Sequence, residues 1–447
     1  MSLKCQGIVV SDGNTDGLVR AIRRTDLVAL IVNNVVGAGI FGLPATAFAL
    51  AGDFSLFAFV ACALVMMSIV ACFAELGSRF TATGGPYLYA RVAFGPWVGF
   101  QVGWLLWLAR VSAFAAICNL MLGYLGYFWP GAIEWRAAII LVVVVALTLL
   151  NLLGVRGATL ASTVFTVGKL IPLLLFIAAG LFFVSRTNYS FATLPGYGDF
   201  SQAVFIVAFA FMGFEVGGIP AGETDEPRAS LPFALLTAIV VVAALYVLIQ
   251  LVCIGTLPEL ATSQRPLADA ASRVIGPAGA AVIVAGALIS VTGTMNAVVL
   301  TTPRLLYAMA EQGDLPRGLA VTHARYRTPY VAILISAAAM LVFTLSSTFV
   351  TALTISTISR LLTYGAVCVA LPVLRRRADV EPATFVLPGG LAIPVAAVAL
   401  TGWLLSNSSR TELIAVAGAA AFGWVLFLVV RHLRRRSGPV QRQPRTV

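Results

Sequence analysis

The chain has 447 residues, 60% of them hydrophobic and 11% charged, with a net charge of +11 and a mean hydropathy of +0.97. Soluble chains run about 45–50% apolar and about 25% charged. That contrast excludes a soluble enzyme, a disordered chain and a fibrous protein, and leaves an all-α integral membrane protein.

Residues 1–25 are polar, with no apolar run ahead of a small-residue cleavage site, and are read as a tail, not a signal peptide. A spanning helix takes about 20 apolar residues. Twelve such segments follow, near 26–51, 54–78, 95–124, 136–153, 160–185, 200–222, 231–256, 277–308, 330–347, 350–371, 392–407 and 412–430. They make one membrane domain, 26–431, closed by a basic tail, 432–447.

Threading these segments alternately puts 21 of the 29 lysines and arginines on one side and five on the other. Lys4, Arg20, Arg79, Arg156, Arg228, Arg327, Arg375, Arg377, Arg442 and Arg445 are among the majority. The positive-inside rule then places both termini in the cytoplasm. The basic balance is a topology signal, so no nucleic-acid partner is expected. Attraction of the basic tail to anionic lipid is compatible with it.

Cys62, Cys72, Cys118, Cys253 and Cys368 fall within spans and Cys5 in the first tail, with no metal or redox spacing. They read as small apolar fillers. His323 and His432 lie in a loop and at a span end, so neither a metal nor a cofactor is expected.

Residues 37–42, GAGIFG, spell G-x-G-x-x-G, but inside a membrane span and ahead of Pro44. A dinucleotide site needs that pattern between a strand and a helix. Here the glycines and the proline either interrupt the helix or allow close helix packing. An interruption frees backbone groups at membrane depth, which is tolerated where they line a cavity. The sixth span, FIVAFAFMGFEVGGIP, repeats the pattern and adds a carboxylate, Glu215. Interrupted helices at corresponding positions of two halves point to a transporter's binding site. Spans 1–5 (26–185) and 6–10 (200–371) then form two repeats of odd span number, so the second is inverted, with two extra helices at 392–430. Lys169 in span 5 and Arg360 in span 10 also correspond, each a single buried charge. Arg110 is the third basic residue inside a span, and each buried charge is a functional candidate.

Four stretches together resemble the amino acid–polyamine–organocation superfamily over nearly the whole chain. They are GAGIFGLPA, ACFAELGSRFTATGGPYLYARVAFGPWVGFQVGW, GFEVGGIPAGETDEPRASLP, and TTPRLLYAMAEQGDLP with HARYRTP beyond it. The resemblance implies the LeuT-like five-plus-five inverted repeat with broken helices 1 and 6 and two additional helices. It implies a substrate α-carboxylate on the N–H groups of Ala38, Gly39 and Ile40, at the positive end of a half-helix. It implies an α-ammonium on free carbonyls near Val35, Phe209 and Ala210, with Phe209 as an aromatic lid. Ala38 stands where some relatives have serine and offers only backbone.

The same resemblance turns Arg110 and Phe114 toward the pocket, adds Asn296 as a lining residue, and makes Arg360 a structural partner or gate element. Lys169 takes the place of a sodium ion, either as a fixed cation or as a proton carrier. Arg110 either pairs internally with Glu215, leaving the pocket neutral, or grips a second substrate carboxylate. Glu215 is a further proton-site candidate, and Glu75 in span 2 is read as structural.

These readings amount to a sodium-independent amino acid transporter working by alternating access, as a proton symporter or an exchanger. Its expected partners are the substrate, protons or a counter-transported amino acid, and the bilayer. Neutral amino acids are expected first because Ala38, Phe114, Phe209, Phe211 and Met212 are apolar, with acidic ones next. Amines, polyamines or other small organic ions are the alternative, and a ligand-sensing receptor is a weaker one. No catalytic motif is present to argue for an enzyme. The Ala- and Arg-rich composition suggests a bacterial inner membrane.

Overall fold

The computed structural model describes residues 22–81, 84–153, 158–326 and 328–436. Lys4, Cys5, Arg20, Arg156, Arg327, Arg442 and Arg445, and with them most of both tails, lie outside the described residues. Within hydrocarbon only a helix or a closed barrel satisfies its own backbone polar groups, and the described residues are helical with no strands. One isolated β-bridge pairs Ile22 with Thr224.

The first interrupted helix is α1 (Arg24–Val35) and α2 (Gly39–Ala51), separated by the non-helical residues 36–38. Then come α3 (Ser55–Gly77), the short α4 (Gly85–Phe94), α5 (Pro96–Leu125), α6 (Arg136–Leu153) and α7 (Ala158–Gly180). The second interrupted helix is α8 (Tyr197–Phe211), continued by a 3-10 segment, Phe214–Glu223. The remainder is α9 (Pro227–Thr256), the short α10 (Pro266–Ile275), α11 (Pro277–Glu311), α12 (Tyr330–Ser346), α13 (Phe349–Arg375), α14 (Ala392–Leu405) and α15 (Arg410–Arg436).

Among the described residues, eight helical stretches are long and apolar enough to cross a membrane, and three shorter apolar helices accompany them. Of the four that separate this number from the twelve expected, three are the shorter apolar helices, and the fourth is lost because α2 and α3 follow one another with only a short 3-10 turn between them, at Gly52 of φ +54°. The half before the break, α1, has only 12 residues.

Packing converges on the two interruptions. α5 lies against α11, α12 and α13, α9 covers α1 and α3, and α2 packs on α8. The short helices α4 and α10 end alike. Each stops at a glycine of positive φ, Gly95 at +87° and Gly276 at +77°. A proline then opens the long helix that follows. Glycine supplies the φ that other residues avoid, and proline suits the first helical turn. Both short helices fold back tightly on their long partners. A Cβ on Gly99 would come within 2.9 Å of Arg91 Cα, and one on Gly279 within 2.9 Å of the Ala271 carbonyl oxygen.

At the arginine-rich end, the loop over residues 376–391 returns beneath the bundle. Glu75, at the foot of α3, accepts hydrogen bonds from Arg375 Nε (2.7 Å) and Nη2 (2.5 Å), from Arg79 (3.3 Å) and from the Leu387 N–H (2.9 Å). Arg228 donates to Glu381 and to the Pro382 carbonyl, and Thr384 donates to the Arg228 carbonyl (2.8 Å). Beside this loop Tyr87 (2.7 Å) and Arg91 (2.5 Å) donate to Asp314, tying α4 to the end of α11. Burial raises the Asp314 carboxyl above its ordinary range, and the donors of Tyr87 and Arg91 pull it back.

Candidate functional site

Breaking a helix strands the carbonyls of its last turn, and at the end of α1 three of them find side-chain donors. Lys169, 2% exposed on α7, places Nζ 2.5 Å from the Asn33 carbonyl oxygen and 2.9 Å from that of Val36. The Tyr246 hydroxyl, from α9, lies 2.9 Å from the Val35 carbonyl and 3.0 Å from that of Ala210 in α8. Its single proton serves one at a time, so one phenol links the two interrupted helices.

The break after α8 is satisfied from the opposite sign. Met212 is extended and Gly213 adopts φ +113°. Glu215 then folds back so that its Oε2 accepts the Gly213 N–H at 3.0 Å. The same oxygen accepts the Tyr364 hydroxyl of α13 at 2.7 Å. Glu215 Oε1 faces Arg360 Nε at 3.7 Å, an ion pair too long for a hydrogen bond. Phe214, Tyr364 and Phe73 pack edge-on or tilted beside this carboxylate, with centroids 5.0–5.4 Å apart.

Between the breaks lies a cavity of about 50 Å³. Of the residues singled out in the sequence, Val35, Ala38, Gly39, Arg110, Phe209, Glu215 and Arg360 line it. So do Asn34, Gly37, Met212 and Thr294, and Thr301 about two helical turns beyond Thr294. Ile40 and Ala210 are buried next to lining residues. The Ala210 carbonyl shares the Tyr246 hydroxyl with that of Val35, and Lys169 stands behind α1, outside the lining.

Three expectations are corrected by helix geometry. The α5 face turned to the cavity carries Arg110, Ala113 and Ile117. At 3.6 residues per turn, Phe114 is rotated about 70° from the centre of that face, and it is fully buried away from the cavity. On α11 the face is Thr294, Ala297, Val298 and Thr301. Asn296 points about 150° away from its centre, toward Asn151, with 3.5 Å between Asn151 Nδ2 and Asn296 Oδ1. Phe211 packs on Tyr246, centroids 5.1 Å apart, and does not line the cavity.

The anticipated pair between Arg110 and Glu215 is replaced as well. Arg360 holds Glu215, and among the described residues no carboxylate lies within 4.0 Å of Arg110. Tyr246 and Tyr364 were not foreseen. The available signal was a phenol inside an apolar span, which needs a polar partner.

The family model for amino acid permeases matches residues 26–423. The chain belongs to the amino acid permease family. The permease is 26% identical to the branched-chain amino acid permease BcaP of Bacillus subtilis (strain 168), over 95% of this chain and 96% of that one. It is 27% identical to the serine/threonine exchanger SteT of the same organism, over 89% and 93% of the two chains. It is 26% identical to the methylthioribose transporter of that organism, over 88% and 90%. These relatives are transporters, not enzymes, and the permease is a membrane protein of the amino acid–polyamine–organocation superfamily.

In the permease the site therefore combines two helix ends of opposite polarity. The N-terminus of α2, at Ala38 and Gly39, lies on the cavity wall opposite in polarity to the C-terminal ends of α1 and α8.

Proposed function

We propose that the permease is a sodium-independent secondary transporter of amino acids, working by alternating access around the cavity between its two broken helices. The observation that carries this reading is Lys169. Its ammonium occupies the carbonyls freed by the first break, where an ion would otherwise be needed to hold them, so the site brings its own cation. The α-carboxylate then binds at the N–H groups of Ala38, Gly39 and Ile40. The ammonium binds near the Val35, Phe209 and Ala210 carbonyls, and Phe209 closes over the substrate.

Twelve crossings follow if α1 and α2 share one passage, and α8 with its 3-10 continuation another. The matching glycine–proline junctions before α5 and α11 support a five-plus-five repeat, because those helices are the third of each half. The arginine-rich end is then cytoplasmic, with both termini, in a bacterial inner membrane. Ala38, Phe209 and Met212 in the wall, and the names of two relatives, speak for neutral substrates. Arg110 speaks for acidic ones. The relative named as a methylthioribose transporter supports a second reading, in which the cargo is another small organic solute.

The test is uptake of labelled amino acids into sodium-free proteoliposomes, empty or preloaded with amino acid, with and without an inward proton gradient. Sodium-independent uptake is expected. A requirement for preloading marks an exchanger, and uptake into empty vesicles that follows the gradient marks a symporter. Uptake that occurs only with sodium overturns the reading.

A further inference from the structure

The cavity carries an unbalanced charge. Its ionisable lining residues among the described residues are Arg110, Glu215 and Arg360, two guanidiniums against one carboxylate. Guanidinium does not lose its proton in proteins, so the balance stands at one positive charge with Glu215 ionised.

Glu215 lies closer to Arg360 than to Arg110: one of its oxygens takes the Gly213 N–H and the Tyr364 hydroxyl, and the other, without a hydrogen bond of its own, faces Arg360 Nε at 3.7 Å. A single carboxylate is thus shared between two guanidiniums, and among the described residues no carboxylate lies within 4.0 Å of Arg110. Arg110 is 4% exposed, its Nε is buried without a hydrogen-bond partner, and its side chain lines the cavity. A buried charge is retained only when something compensates it. The wall beside it on α5 and α11 is Ala113, Ile117, Ala297 and Val298, with the hydroxyls of Thr294 and Thr301. None of these supplies a negative charge. The hydroxyls already donate to their own helix, Thr294 to the Ser290 carbonyl (2.9 Å) and Thr301 to the Ala297 carbonyl (2.8 Å).

A zwitterionic amino acid does not close this balance. Its carboxylate and ammonium use the two helix ends, and the complex keeps the single positive charge of the empty site. A substrate with a second carboxylate neutralises it, and a planar guanidinium fork matches a carboxylate with two parallel hydrogen bonds. A cationic side chain would double the imbalance.

We propose that the substrate is an acidic amino acid whose side-chain carboxylate is received by Arg110, so that Arg110 sets the sign of the cargo. This inference rests on the amino acid transport reading above and narrows it, against the expectation of a neutral substrate. Arg360 holds Glu215 in place, and Arg110 is left free for the cargo. The small cavity favours a short side chain.

The experiment uses pairs that differ only in charge. The full-length permease is reconstituted into sodium-free proteoliposomes, and uptake of labelled L-aspartate is measured against L-asparagine, and L-glutamate against L-glutamine, at equal concentration. The acidic member of at least one pair is expected to enter at least tenfold faster. Arg110→Gln is expected to lower that acidic-to-amide ratio at least tenfold. Arg110→Lys, which keeps the charge and loses the fork, is expected to give a ratio between the two. Size-exclusion profiles report folding, and should Arg110→Gln fail to fold, the wild-type ratio and Arg110→Lys decide.

Equal or faster uptake of the amides overturns the assignment of Arg110 and leaves amino acid transport standing. A ratio unchanged in folded Arg110→Gln does the same. Failure of every amino acid to enter or to compete overturns the transport reading itself.

Discussion

Gly39 of α2 and Ala210 of α8 leave no space between them: a Cβ on Gly39 would lie 2.8 Å from Ala210 Cα and 2.9 Å from Ala210 Cβ. Real Cβ atoms do not approach so closely, so the two broken helices touch backbone to backbone at the edge of the cavity. Overpacking of this kind costs about 1–3 kcal/mol. Gly39→Ala is expected to cut uptake at least tenfold while reducing membrane abundance less than twofold. Adding Ala210→Gly in the same chain is expected to recover part of the loss, since neighbouring substitutions couple. Absence of recovery would mean that the contact is not the cause.

Lys169 meets two carbonyls, and among the described residues no carboxylate lies within 4.0 Å of it. On the fixed-cation reading, the ammonium holds the end of α1 in shape whatever the external pH. Lys169→Met is therefore expected to lower uptake at least tenfold, by the same factor at pH 5.5 and pH 7.5. A flattened pH profile, with uptake at the higher pH retained, would instead make Lys169 the proton carrier.

Glu75 gathers Arg79, Arg375 and the Leu387 N–H at the foot of α3. Neutralising it leaves two guanidiniums facing an amide. Breaking a buried pair costs about 3–5 kcal/mol, and the partial exposure of Arg375 places the expected loss near the lower end. Glu75→Gln should lower the thermal midpoint of the purified protein by several degrees in low salt. A shift no larger than that of a control exchange at exposed Glu134 would remove Glu75 from the list of structural anchors.

The membrane class, the broken first and sixth helices and the buried charges were legible in the sequence because each is a local departure from an apolar background. Glycines beside a proline, and a carboxylate among phenylalanines, have few structural explanations. The partners of those charges were not legible. One of the two readings of Arg110 pairs it with Glu215, yet α13 delivers Arg360 and Tyr364 to the same carboxylate from about 150 residues away. Phe114 and Asn296 failed for a smaller reason. Both sit on helices that line the cavity, and a face is decided by rotations of 100° per residue that composition does not record. Tyr246 was overlooked because a tyrosine in an apolar span looks like packing until the carbonyls it serves are in view.

The junctions at Gly95–Pro96 and Gly276–Pro277 have a consequence for energetics. With the two halves related as proposed, one junction lies toward the cytoplasm and its counterpart toward the outside. Opening one mouth then exchanges the roles of two like-built corners. A duplicated architecture thus brings its resting states close in free energy by descent, and a modest push from cargo suffices to choose between them.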